Sequence, residues 1–143
     1  MSMKVFVSAP FCRAVEALAA HHALVAVGLQ PVSRWVRDAL ESGGVDAPSP
    51  EVARHAIAQN DDDVVSADAV LALSYPREGG EMFAEVRFAL LLGKPVLWVQ
   101  GRQILSAHRR GVVLVASLSE AVAWLVERSA PAARESMPQV SAP

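Results

Sequence analysis

The carboxylate of Glu85 stands on the first turns of a helical pattern that leaves a glycine-containing loop, Ser74-Tyr75-Pro76-Arg77-Glu78-Gly79-Gly80. If it faces that loop it can serve as a nucleophile; if it faces away it is a solvated charge favoured by the positive end of the helix. Positions 81, 85, 88 and 92 share one stripe at helical spacing, and Phe88 and Leu92 are apolar. The stripe places Glu85 at the end of a partly buried face, and position alone leaves both readings open. Facing the loop, Glu85 is expected to stay ionised through the helix dipole, as a nucleophile needs.

A second acidic group lies in Asn60-Asp61-Asp62-Asp63. At about 100° per residue, with Ile57 taken as the centre of the buried face, Asp61 falls roughly 40° away and Asn60 roughly 60°. Asp62 and Asp63 fall beyond roughly 110°, on the solvent side. Asp61 is thus the carboxylate expected to need a partner, and a ligand hydroxyl would serve. Asp68 reads as a turn residue before a strand. Ser8 and Ser74 end strands and could offer hydroxyls to a sugar or phosphate. Gly79 and Gly80 could cradle an anion on free amides, though a tight turn explains them equally. Trp35 could cover a nucleobase or fill the core. The four histidines show no metal-ligand spacing, and neither a GxGxxG, nor a Walker A, nor a GxSxG pattern is present.

The elements that must hold these residues follow from the apolar runs. Residues 4–8 read as a strand, 12–22 as a helix and 23–27 (ALVAV) as a second strand ended by Gly28. Residues 29–49 read as a long loop with a short helical turn near Trp35, and a loop of that length is usually functional. Ser49-Pro50-Glu51 opens a helix to about Ser66, with a capping serine, a first-turn proline and a favourable charge. Residues 70–99 form strand, glycine loop, helix, strand, a βαβ unit whose helix ends at Gly93. Residues 112–115 make a fifth strand and 118–127 a last helix. Five strands alternating with helices predict a doubly wound parallel α/β sheet of flavodoxin-like order 2-1-3-4-5. That order puts the 8–11 and 74–80 loops on either side of the switch point between strands one and three, where ligands bind.

The chain's 143 residues suffice for one domain, expected over 1–129, with 130–143 a disordered tail containing three prolines. No apolar run approaches the roughly 18 residues of a membrane span, and no signal peptide is visible. Cys12 is the only cysteine, which excludes an internal disulfide and a cysteine zinc cage and fits a reducing cytoplasm. A net charge of -2 without a basic patch argues against double-stranded nucleic acid and for a small ligand or a protein partner.

In order along the chain, these pieces resemble the nucleoside 2-deoxyribosyltransferase-like family, which includes nucleotide N-glycoside hydrolases. The resemblance spans roughly residues 4–100. It rests on strand one running into Ser8-Ala9-Pro10-Phe11, on Asp63-Val64-Val65-Ser66-Ala67-Asp68 before the third strand, and on Gly79-Gly80-Glu81-Met82-Phe83-Ala84-Glu85 followed by Gly93-Lys94-Pro95-Val96. It implies the same five-stranded fold and makes Glu85 the nucleophile that attacks the anomeric carbon of a nucleoside or nucleotide, forming a glycosyl-enzyme. It implies a second carboxylate from the preceding helix on the sugar or base, carried over to Asp61, although counting back from Asp68 gives Asn60. Phe6, Ser8, Pro10, Trp35, Asn60, Ser74, Gly79, Gly80 and Met82 are then the residues expected around the substrate. Phe6 stands where family members often have a tyrosine, which puts deoxyribosyl transfer in question more than the ligand class. The resemblance implies no metal or organic cofactor, and a homo-oligomer. The rival reading is a non-catalytic module that binds a nucleotide or sugar-nucleotide on the same fold.

Overall fold

Parallel strands need crossover connections, and the segments between this chain's short apolar strands supply them. The computed structural model describes residues 2–43, 49–75, 80–99 and 105–135. Its strands are β1 (Lys4–Ser8), β2 (Gln30–Pro31), β3 (Ala69–Leu73), β4 (Val96–Val99) and β5 (Val112–Val115). All pair in parallel, in the expected order β2-β1-β3-β4-β5. The helices are α1 (Ala14–Ala26), α2 (Trp35–Glu41), α3 (Pro50–Ser66), α4 (Gly80–Leu91) and α5 (Leu118–Glu135). α1 meets α5, and α3 meets α4, so the sheet is covered on both faces. β3 lies at its centre with every residue buried, as a doubly covered parallel strand requires. Among the described residues no helix is long and apolar enough to cross a membrane.

Three elements differ from the sequence expectation. Residues 23–27, expected as a strand, complete α1. Its buried face is Ala14, Ala17, Ala20 and Leu24, a helical spacing that continues through the apolar run, while Val25 and Val27 are exposed. The helix ends at Gly28, whose φ of 82° suits glycine. The amide of Gly28 bonds Val25 O and that of Leu29 bonds Leu24 O, the paired closure typical of a glycine-ended helix. β2 therefore falls later and is only two residues long. The region expected as a long loop holds β2 and α2. Lastly, α5 runs on to Glu135, through residues expected to belong to a tail; residues 136–143 lie outside the described ones.

The buried stripe of α4 is Met82, Glu85, Val86 and Ala89, rotated from the expected one, so that Glu81 is exposed and Leu92 is 44% exposed. α3 is capped as expected: Ser49 Oγ accepts from the Val52 amide, and Pro50 opens the helix. Its buried direction, however, does not pass through Ile57, which is 45% exposed. Apart from half-buried Gln59, its buried and half-buried positions are Ala53, Ala56, Asn60, Asp63, Val64 and Ala67. These lie within about 60° of Asn60, so Asn60 is the centre of the stripe.

Candidate active site

β1 supplies the first group. Along it, Phe6 and Ser8 point to one face and Val5 and Val7 to the other. The Ser8 face is that of α3 and α4, since the Ser8 hydroxyl donates to Glu85 Oε2 of α4 at 2.5 Å. The end of β1 and the second turn of α4, 77 positions apart in sequence, are thus joined by one hydrogen bond at the carboxyl end of the strand. From α3, the centre of its stripe, Asn60 Nδ2 donates to the other oxygen, Glu85 Oε1, over a long 3.4 Å. Glu85 is 8% exposed.

Those surroundings decide its charge. Burial, opposed by the Ser8 hydrogen bond and reinforced by the negative charges of Glu81 and Asp61, pushes the Glu85 carboxyl up to about 8. The expectation that the helix dipole keeps it ionised is therefore corrected. The dipole acts near the helix end, but the cost of desolvating the charge is larger here.

Asp61 is exposed, not turned inward, because the stripe is rotated by about 60° from the Ile57-centred estimate, which leaves Asp61 about 100° from its centre. It touches Glu85 only through its charge. The buried acid is Asp63, which sequence angles had put in solvent. Its Oδ2 accepts from the Arg34 amide at 3.1 Å and its Oδ1 from Arg34 Nε and Nη2 at 2.9 and 2.8 Å, tying α3 to the start of α2. Asn60 is the α3 side chain that reaches Glu85, the position given by counting back from Asp68.

The remaining expected residues divide by burial. Ser74 is buried at the end of β3, and Pro10 is buried where its carbonyl accepts from the Arg13 amide to open a 3-10 turn. Gly80 is exposed as the first residue of α4, with no atom within 4 Å of where a Cβ would stand. Gly79 lies outside the described residues. Phe6, Trp35 and Met82 are sealed in the core at 0%, 5% and 1% exposure. Trp35 is no loop cover for a base, because its indole N–H donates to Val7 O at 2.8 Å and its ring packs beside Phe11.

Sequence reasoning missed what fixes the end of β1. β2 is too short to pair with Val7, so side chains take over the ladder. Ser33 Oγ accepts from the Val7 amide at 2.8 Å while Trp35 occupies Val7 O. Ser33 Oγ also lies 2.9 Å from His21 Nε2, within hydrogen-bond distance. Burial, and then the neighbouring His22, lower the pKa of His21. Ser8 follows Val7 directly, so this clasp sets where the hydroxyl on Glu85 stands. At the mouth of the same strand ends, the Arg13 guanidinium lies 4.3 Å from the centre of the Tyr75 ring. A groove of about 420 Å³ opens between α1 and α2, beside Leu18, Val36 and Leu40, and reaches His21 and Ser33 of this clasp and Arg34. No three histidine, cysteine, aspartate or glutamate side chains among the described residues form a metal cage.

Chemically, the arrangement is one buried carboxyl held by a hydroxyl on one oxygen and an amide on the other, at the switch point of a doubly wound parallel sheet. No family profile matches the chain, and no curated protein does. Solved structures do. A 2-deoxyribosyltransferase from Bacillus psychrosaccharolyticus is similar at 16% identity with a TM-score of 0.67, over 85% of this chain and 95% of that one. The Clostridium botulinum CMP N-glycosidase BcmB is similar at 13% identity and a TM-score of 0.55, over 85% and 97%. The solution structure of BlsM is similar at 14% identity and a TM-score of 0.66, over 99% and 98%. At these identities the likeness is one of fold, the five-stranded parallel doubly wound sheet, shared over most of each chain.

Proposed function

We propose that this protein is an N-glycosyl hydrolase or (deoxy)ribosyltransferase acting on a nucleoside or nucleotide, with Glu85 as nucleophile. The observation that carries the reading is the buried Glu85 carboxyl held by Ser8 and Asn60 at the strand ends. Proteins that share the fold are described as a deoxyribosyltransferase and a CMP N-glycosidase, which supports the substrate class. In the proposed reaction an ionised Glu85 oxygen bonds to the anomeric carbon as the C–N bond breaks. The bond's electrons leave with the base, which takes up a proton. Water or a second base then displaces the glycosyl group and restores the carboxylate. Ser8 orients the carboxylate through Oε2. Phe6, two residues before Ser8 on the same face, offers no hydroxyl to Glu85, unlike the tyrosine expected from the resemblance. A homo-oligomer in the cytoplasm belongs to the same proposal, the first from the resemblance and the second from the lone cysteine.

Because the nucleophile must be ionised and Glu85 gives up its proton only near pH about 8, activity should rise with pH through neutrality. The test is incubation with a panel of nucleosides and 5′-nucleotides across pH, with free base read by chromatography. Glu85→Gln keeps the shape but not the charge and should lower base release by several powers of ten. Asp61→Asn should cost little and shift the rise towards lower pH, since it removes a like charge. Wild-type protein that binds nucleotides yet releases no base at any pH would leave the binding module as the better account.

A further inference from the structure

Two side-chain polar atoms among the described residues are fully buried without a hydrogen-bond partner, Asn60 Oδ1 and Trp98 Nε1. Trp98 is stacked on Phe83 in the core. Asn60 is different, because the other end of its amide touches Glu85. An amide has donors on nitrogen and an acceptor on oxygen. With Nδ2 towards Glu85, Oε1 must accept, which both charged and protonated carboxyls can do. With Oδ1 towards Glu85, the carboxyl must donate, which only the protonated form can do. The amide's orientation and the proton on Glu85 are therefore linked.

The other groups acting on Glu85 do not favour its charge, apart from the Ser8 hydroxyl of β1. Glu81 on its own helix and Asp61 on α3 are both negative, and no cation among the described residues acts on it. Asn60 is the one α3 side chain that touches it, and it is neutral. We propose that Asn60 is a positioning residue coupling ligand binding to the charge of Glu85. Its orphan carbonyl takes a hydrogen bond from a hydroxyl or amino donor on the ligand, which locks its NH2 on Oε1 and so favours the carboxylate. The ligand's identity rests on the nucleotide reading above; the hold of Asn60 on Glu85 does not.

Carbon NMR of the glutamate side-chain carboxyls follows Glu85 through a pH titration in wild-type protein, Asn60→Asp and Asn60→Leu. The near-isosteric Asn60→Asp guards against a folding failure in Asn60→Leu. Asn60→Asp should raise the Glu85 midpoint by about one pH unit or more by adding a like charge, and Asn60→Leu should raise it by removing the donor. A midpoint unmoved in both variants overturns the proposal, whatever binds. In the second arm, wild-type protein near pH 7 is mixed with cytidine 5′-monophosphate and a pH indicator. Hydrolysis of the N-glycosidic bond is itself proton-neutral there, so a stoichiometric proton burst reports ionisation on binding. The burst should disappear in Asn60→Leu. Loss of the burst with the 2′,3′-dideoxy nucleotide identifies a sugar hydroxyl as the donor; loss with uridine 5′-monophosphate identifies the base amino group. An equal burst in wild type and Asn60→Leu overturns the coupling. Shifted midpoints with no binding of any nucleotide would sink the nucleotide reading and the ligand half of the proposal, leaving only the hold of Asn60 on Glu85.

Discussion

Glu85 combines a buried carboxyl, a hydroxyl on one oxygen and an amide on the other, and its proton leaves only near pH about 8. In the unfolded chain an ordinary glutamate loses it near 4.5. Between those values the folded state holds more protons than the unfolded one, so raising the pH across that window lowers stability. The stabilisation is fully present below about 4.5 and is lost as the pH rises through about 8, a change on the order of a few kcal/mol. Melting curves of wild type and Glu85→Gln between about pH 5 and pH 9 check this. The wild type should lose melting temperature relative to Glu85→Gln as pH rises, so Gln is no neutral substitution in alkaline buffer. Parallel curves would mean that Glu85 ionises like an exposed side chain. The same carboxyl thus loses stability as it gains the charge that the proposed nucleophilic role requires.

At the scale of elements, the site depends on how the end of β1 is held. A two-residue β2 leaves the Val7 N–H and C=O to side chains, and Ser33 and Trp35 take one each. Ser33→Ala should cost about 1–3 kcal/mol by leaving a buried amide unpaired. Trp35→Phe should cost a similar amount through the Val7 carbonyl. Both should also lower activity, since Ser8 is the next residue; chemical denaturation and base-release assays on the same samples check the pair. A stable Ser33→Ala would mean that His21 or backbone shifts satisfy Val7 instead. Little of this was legible in sequence. Strands, glycine-ended helices and the βαβ unit were readable because their apolar runs and punctuation are local. The 23–27 run misled because a helix made of alanine and valine has the composition of a strand, and only the 14, 17, 20, 24 spacing separates them. α3 misled because two of its apolar residues, Val52 and Ile57, are exposed at 47% and 45%. Its true stripe runs through small alanines and a polar centre, Asn60. Hence Glu85 and Ser8 could be placed from the strand count, while Asp63 and Asn60 exchanged roles with Asp61.

At the scale of the whole molecule, the strand order alone brings residues 8 and 85 together, which is why a site could be placed before any side chain was seen. Lys94 ties the two crossovers on that face together, its Nζ donating to Val64 O at 2.7 Å and to Val65 O at the end of α3. Truncation after Glu135 removes a segment with two prolines and no apolar periodicity, and is expected to leave the melting temperature within about 2–4 °C, about 1 kcal/mol or less for a domain of this size. A larger drop in a thermal melt would place part of the core's support in the last eight residues.

The covalent role of Glu85 is the claim on which the functional account turns. Acid quenching during turnover of a nucleotide that releases base, followed by intact-protein and peptide mass spectrometry, tests it most directly. The account predicts an adduct of one glycosyl unit, mapped to the peptide carrying Glu85 and absent from Glu85→Gln. Base release at the wild-type rate by Glu85→Gln, with no adduct in either protein, would contradict it.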